Sequence, residues 1–379
     1  MKETGLYIHV PFCIKKCNYC DFVSYPYREE AVGAYLKGLE REMKLYAGEP
    51  SFQERQISTL YIGGGTPTCL PSFSLGKIIQ DSFKYFNLQS GAEVSVEANP
   101  GTFSNELLQV LLLAGVNRLS LGVQSSLDDE LHLLGRIHDF RQAEESFNSA
   151  RAAGFNNIGV DLISGLPGQS VSQWKKTLEA VLALEPDHVS AYGLQLERGT
   201  PLHRDVSRGK IAPCSEEEDL KMFWETINFL TGHGFEHYEI SNFARPGRQC
   251  KHNLIYWRNQ EYIGLGPAAH SYIGGCRYEN KRAIKLYREA VDAGRFPIAR
   301  REPVDIRTEM SETVFMGLRL MNGLDLTGFE KRFGCSFNDA YGFQVELLTK
   351  AGLLELTGDR LRLTPRGLPV ANRVFMEFL

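Results

Sequence analysis

The sequence has 379 residues, 43 % of them hydrophobic, enough apolar side chain for a large buried core and for two or three domains. A net charge of -4 and an isoelectric point near 6.2 exclude a broad electrostatic grip on nucleic acid. Eight cysteines, five of them scattered (Cys69, Cys214, Cys250, Cys276, Cys335), exclude a secreted disulfide framework, and residues 1–20 lack both the apolar run of a signal peptide and the arginines of a transit peptide, so a cytoplasmic location is expected.

The first apolar run, Leu6–Val10, predicts a strand, and HVPFCIKKCNYCDF overlaps its end. Cys13, Cys17 and Cys20 are spaced C-x3-C-x2-C, with no fourth cysteine close by. Soft thiolates on a tight loop suit iron–sulfur or zinc binding. A zinc site normally closes with a fourth ligand. Three thiolates on a four-iron cluster instead leave one iron open to a small chelating molecule such as S-adenosylmethionine, and an open cluster needs a reducing compartment. Val32, Tyr35, Leu36, Leu39 and Met43 then recur at helical spacing. Further strands are predicted at Thr59–Ile62, Glu93–Glu97, Arg118–Gln124, Gly159–Ile163 and His188–Leu194. Asp139 with Gln142, and Ser170 with Gln173, read as capping boxes. Gly115 and Gly154 stand where C-terminal caps belong, and Pro186 halts the helix before the sixth strand. The most apolar helix, around Leu107 to Val116, is interrupted by Gln109 and is too short to span a bilayer.

Six successive βα units imply a parallel sheet with right-handed crossovers, as a partial barrel or a doubly wound open sheet. Polar or glycine residues recur at the strand ends: Gly63–Thr66, Glu97, Gln124, Asp161 and Gln195. In a barrel those ends converge on one mouth, onto which the cysteine loop also opens, and this favours a partial (β/α)6 barrel over residues 1–200. Residues 201–302 form a less regular connecting region that carries CKHNLIYW. Residues 303–379 are compact, with helices around Thr308–Met321, Leu326–Phe333 and Phe337–Ala351 and a hairpin turning at Thr357–Asp359. That is a winged-helix-like tail, yet only modestly basic, and a packing or partner module is preferred to DNA binding.

Taken together, LYIHVPFCIKKCNYCDF, YIGGGTPT, VSVEANP, RLSLGVQS, GVDLISGLPGQ and KHNLIYW resemble the radical S-adenosylmethionine family that contains oxygen-independent coproporphyrinogen III oxidase and the HemW branch of haem chaperones. The resemblance covers nearly the whole chain and implies a partial barrel with a [4Fe-4S] cluster in its mouth. It implies that Cys13, Cys17 and Cys20 hold the cluster, that Tyr7 lies along bound S-adenosylmethionine, and that Tyr19 lines the mouth. Gly63, Gly64 and Gly65 would let backbone approach the methionine end of the ligand, and Thr66 adds a hydroxyl. Glu97, Gln124, Arg136, Asp161 and Gln195 match polar contact positions, with Arg136 opposite the methionine carboxylate and Asp161 opposite a ribose or amino group. Some of these positions serve a second S-adenosylmethionine in the oxidase, so one or two molecules remain open.

Two departures separate the chain from the oxidase. The oxidase has a further cysteine two residues beyond its third ligand, where this chain has Phe22, and it has a longer segment ahead of its cluster loop, which here begins at Cys13. Both favour the HemW branch, as does His252-Asn253 with Tyr256-Trp257. That branch implies haem as ligand, with His252 as a candidate axial ligand, Cys250 as its competitor, and Asn253, Tyr256 and Trp257 covering the porphyrin or holding the segment at the barrel mouth. It further implies delivery of haem to respiratory haem proteins, membrane-bound ones among them, without coproporphyrinogen oxidation. A homodimer is compatible with the residues, and nothing in them fixes it.

Overall fold

All six predicted strands are present in a computed structural model, which describes residues 3–379. They are β1 (Thr4–Val10), β2 (Ile57–Gly64), β3 (Leu88–Ala98), β4 (Arg118–Gln124), β5 (Ile158–Ser164) and β6 (His188–Gly193); only Leu194 of the predicted residues falls outside. They pair in chain order and all in parallel. One face of each strand is aliphatic, as in Leu6, Ile8 and Val10 or Leu119, Leu121 and Val123, all fully buried. These side chains pack in one core with helices Glu29–Ala47, Ser72–Tyr85, Asn105–Leu113, Phe140–Ala153 and Val171–Leu182, each contributing about 1.5–3 kcal/mol. The alternate residues are polar or glycine and face the concave side, among them Tyr7, Tyr61, Glu97, Arg118, Ser120 and Asp161. This gives the expected partial (β/α)6 barrel, with a polar lumen.

The helix boundaries follow local chemistry. Asp139–Gln142 and Ser170–Gln173 are reciprocal capping boxes, and Gly154 ends its helix in the left-handed conformation, φ +116.

The connecting region builds onto the same sheet. Strands β7 (Glu236–Glu239) and β8 (Asn242–Ala244) extend the β6 edge, whereas β9 (Tyr262–Leu265), β10 (His270–Ile273), β11 (Cys276–Asn280) and β12 (Ile298–Pro303) extend the β1 edge. The order is β12-β11-β10-β9-β1-β2-β3-β4-β5-β6-β8-β7. Because β8 and β9 lie at opposite edges, the chain between them must cross the open barrel, and it does so through the short helix Lys251–Trp257.

Residues 306–376 add helices Ile306–Gly317, Leu326–Phe333 and Phe337–Lys350, a three-stranded antiparallel sheet from 324–325, 354–357 and 360–363, and a final helix Ala371–Met376. Gly358, at φ +61, makes the tight hairpin turn. Val314, Leu318, Phe329, Phe337, Leu361 and Val374 belong to a separate apolar core. Among the described residues no helix is long and apolar enough to cross a membrane.

Candidate cofactor site

The cysteine loop lies at the carboxyl end of β1 and is pinned from several sides. Thr66 N donates to Phe12 O at 2.7 Å and Gly65 N to Val10 O at 2.9 Å. Asn18 joins the loop to the end of helix Asp128–Leu134, through its backbone N to Leu134 O and its side-chain Nδ2 to Leu133 O, both at 2.9 Å. His9 Nε2 contacts Val23 O at 2.8 Å and His9 Nδ1 contacts Tyr7 Oη at 3.0 Å. Burial pulls the His9 pKa down, so the ring is neutral, donating from Nε2 and accepting at Nδ1. Ile14 and Phe22 project from the loop, 54 % and 64 % exposed.

Cys13, Cys17 and Cys20 are partly exposed and unbridged. Burial raises the Cys13 thiol and pushes Cys20 up to about 11, with Cys17 as a secondary influence on each. Ligation by thiolate must therefore displace protons. Thr66 Oγ1 donates to Cys13 Sγ at 3.7 Å, and Arg136 Nη1 reaches Cys17 Sγ at 3.5 Å. Among the described residues no three His, Cys, Asp or Glu side chains converge tightly enough for a single metal ion. A loop of three soft donors, two of them already taking hydrogen bonds at sulfur, fits a larger iron–sulfur cluster. Cys17, Thr66, Asn99, Gly135 and Arg136 line one cleft beside the loop.

The glycines of GGGTP are required by packing before any ligand is considered. A side chain on Gly63 would meet the Glu97 carboxylate at 2.7 Å, one on Gly64 the His9 ring at 2.3 Å, and one on Gly65 the Phe12 carbonyl oxygen at 2.5 Å. Gly64 also has φ +109 and donates its N–H to Glu97 Oε2 at 3.0 Å. Tyr61 donates to Glu97 Oε1 at 2.9 Å, and its ring stacks on Tyr7, 6.3 Å between centroids. Asp161 accepts from Ser120 Oγ at 3.1 Å. Burial, and then the charge of Asp161, push the Glu97 carboxyl up to about 7; burial likewise raises Asp161. Gln124 ends β4 in the left-handed conformation, φ +72, where the β4–β5 register shifts. Tyr19 packs beside Leu134, Ile163, Leu166 and Leu194.

The structure therefore brings Tyr7, Gly63–Thr66, Glu97, Gln124, Arg136 and Asp161 to the end of the barrel that carries the cysteines. Gln195 is exposed beyond β6 and joins none of these contacts. Arg136 is held in place through its Nη2, which donates to Asn99 Oδ1 at 2.5 Å and to Gly122 O at 2.6 Å, while its buried Nε has no partner among the described residues. Asn99, within VSVEANP, is the site residue that sequence reasoning missed; its signal was an amide side chain just past a strand whose last residues face the mouth.

CKHNLIYW is placed differently from the expectation. It does not sit at the mouth but closes the opposite end. The Glu93 carboxylate accepts the backbone N–H groups of Lys251 and His252, each at 3.0 Å, and so caps the crossing helix. His252 is 1 % exposed. Its Nδ1 bonds Thr59 Oγ1 at 2.7 Å and its Nε2 bonds Tyr256 Oη at 2.8 Å. With both nitrogens engaged, and its pKa drawn down to about 3 by burial and then by Arg118, His252 offers no free ligand atom in this conformation. Cys250 is buried beside Glu93, Asn253 is partly buried, and Trp257 lies under the Arg319 guanidinium at 4.3 Å. The physical reason for the placement is the crossing itself: β8 and β9 occupy opposite edges, and the helix between them must seal the lumen's far end.

Comparison with known proteins agrees with this architecture. Residues 7–181 match the Radical SAM superfamily and residues 304–370 the HemN C-terminal domain. Heme chaperone HemW of Lactococcus lactis subsp. lactis (strain IL1403) is 36 % identical over 381 residues, spanning 100 % of this chain and 98 % of the relative. The protein of the same name from Bacillus subtilis (strain 168) is 37 % identical over 377 residues, covering 98 % of each. The chain belongs to the HemW family. Coproporphyrinogen III oxidase (HemN) from Escherichia coli, a radical SAM enzyme, superposes with a TM-score of 0.87 at 28 % identity, covering 100 % of this chain and 90 % of that one. Membership of the radical SAM superfamily implies a [4Fe-4S] cluster and S-adenosylmethionine, and the cysteine loop has the donor set to hold the former. When bound, a cluster of this kind would supply an electron for chemistry on S-adenosylmethionine, and Cys13, Cys17 and Cys20 would hold it.

Proposed function

We propose that this protein is a haem-binding chaperone on a radical S-adenosylmethionine core, with Cys13, Cys17 and Cys20 holding the cluster and Tyr7, Tyr19, Gly64, Gly65, Thr66, Glu97, Gln124 and Asp161 forming the S-adenosylmethionine site. It hands haem to respiratory haem proteins. The observation that carries the reading is end-to-end similarity to chains named haem chaperones, 36 % over 98 % of the relative's length. Phe22, standing exposed where the oxidase has a cysteine, supports it. Anaerobic titration of the cluster-loaded protein with haem tests it: stoichiometric binding is expected, and its absence rejects the reading. The alternative, coproporphyrinogen oxidation, is favoured by the close superposition on the oxidase. Protoporphyrinogen formed from coproporphyrinogen, reductant and S-adenosylmethionine would establish it.

Glu97 gives the cofactor site a pH signature. With its carboxyl raised to about 7, mainly by burial, Glu97 is largely protonated at pH 6 and largely ionised at pH 8. The sulfonium of S-adenosylmethionine is favoured by the ionised form. Affinity should rise by up to about tenfold between those pH values, and Glu97→Gln should flatten the profile. Calorimetry across pH measures it; a flat profile in the unmodified protein removes Glu97 from the site.

His252 is assigned a structural role in the closed barrel. His252→Ala strips a partner from both Thr59 and Tyr256 and leaves a buried void. A stability loss of roughly 2–4 kcal/mol is expected, with reconstituted iron unchanged. A variant that melts like the parent but no longer binds haem would instead make His252 a ligand.

A further inference from the structure

Two of the three loop thiols are joined by an unbroken run of hydrogen bonds. Thr66 Oγ1 donates to Cys13 Sγ, and accepts from Asn99 Nδ2 at 2.8 Å. That second bond occupies an oxygen lone pair and leaves the hydroxyl proton aimed at sulfur. On its other side Asn99 Oδ1 accepts from Arg136 Nη2 at 2.5 Å, and Arg136 Nη1 points at Cys17 Sγ. The Asn99 amide touches neither sulfur, yet its orientation fixes both contacts. With its nitrogen and oxygen exchanged, an N–H would face the guanidinium and the clasp would not close. The backbone holds Asn99 in place: its carbonyl accepts from Thr102 Oγ1 at 2.7 Å, and its N–H contacts Thr68 Oγ1 at 3.4 Å.

We propose that Asn99 is a positioning residue that sets the reduction potential of the cluster by aiming Thr66 at one ligand sulfur and Arg136 at another. The inference rests on reading Cys13, Cys17 and Cys20 as cluster ligands. Hydrogen bonds and positive charge at ligand sulfur favour the more negative, reduced cluster, and so raise its potential.

The test is a redox titration of anaerobically reconstituted protein, followed by the paramagnetic signal of the reduced cluster. Parent, Asn99→Ala and Thr66→Val are compared, with iron content and thermal unfolding measured on each. Asn99→Ala should keep its iron and its melting temperature while its midpoint moves to more negative potential. At a fixed donor potential its reduced-to-oxidised ratio should fall about tenfold, equivalent to 59 mV for one electron. Thr66→Val, which removes one arm only, should shift in the same direction by less. A parental midpoint in Asn99→Ala with iron retained overturns the proposal. If Asn99→Ala loses its iron, Thr66→Val decides: an unshifted midpoint there overturns it equally. Failure of the parent itself to take up a four-iron cluster would instead defeat the ligand assignment, a separate outcome visible in the iron content alone.

Discussion

Cys17→Ala is expected to reduce the iron of the anaerobically reconstituted protein to background, together with its brown absorbance and any cleavage of S-adenosylmethionine. Two thiols cannot hold the cube that three hold, and the fold supplies no replacement. The nearest alternative is Cys69, whose thiol donates to Phe12 O at 3.6 Å. It lies outside the C-x3-C-x2-C loop, and burial, and then the adjacent Cys13, push its thiol up to about 12. Cys69→Ser should therefore keep the cluster. Removing Cys17 costs the fold little, because the residue is partly exposed and Arg136 keeps its bonds to Asn99 and Gly122; a change within about 1 kcal/mol is expected. Iron and sulfide analysis beside a thermal melt checks both halves. A four-iron cluster surviving in Cys17→Ala, or lost in Cys69→Ser, would mean that the open iron needed for S-adenosylmethionine is capped by the protein.

What the sequence disclosed, and what it did not, divides along physical lines. The six parallel strands were legible because each contains a run of four to seven residues with aliphatic side chains at every second position, bounded by glycine, proline or a cap. Capping boxes such as Ser170–Gln173 act within one turn and need no tertiary context. Strands β7 to β12 were not legible. They are three to six residues long, and β9 pairs with β1 across some 250 residues, a choice made by the sheet edge rather than by YIGL itself. The mouth was recognised from residues at strand ends, but Asn99 was passed over because its role lies in bridging Thr66 and Arg136. The same limit misplaced KHNLIYW. A histidine among aromatics reads equally as a ligand set or as a plug, and only the crossing from β8 to β9 determines which end of the barrel it meets.

That crossing makes Glu93 a residue whose loss the fold should feel. Its carboxylate caps the helix at Lys251 and His252, accepts from Cys250 Sγ at 3.7 Å, and lies beside Arg118, whose guanidinium is 1 % exposed with Nε and Nη1 unpartnered. Glu93→Ala would leave two helix amides without an acceptor and remove one of the negative charges around the buried Arg118, which Glu97 and Asp161 also face. Leaving those buried amides without an acceptor costs about 2–4 kcal/mol, and a melting temperature lower by roughly 3–6 °C is expected. Glu93→Gln, which keeps an acceptor for the amides but not the charge, should fall between the two. Neither change touches the cysteine loop, so iron uptake at low temperature should match the parent. A parental melt for Glu93→Ala would show that the barrel's far end is not held by this carboxylate. The variant also separates two accounts of haem binding. Loosening the plug frees His252 from Thr59 and Tyr256 while the cluster end stays intact; haem affinity that rises in Glu93→Ala would assign the iron to His252, and unchanged affinity would place the haem elsewhere on the molecule.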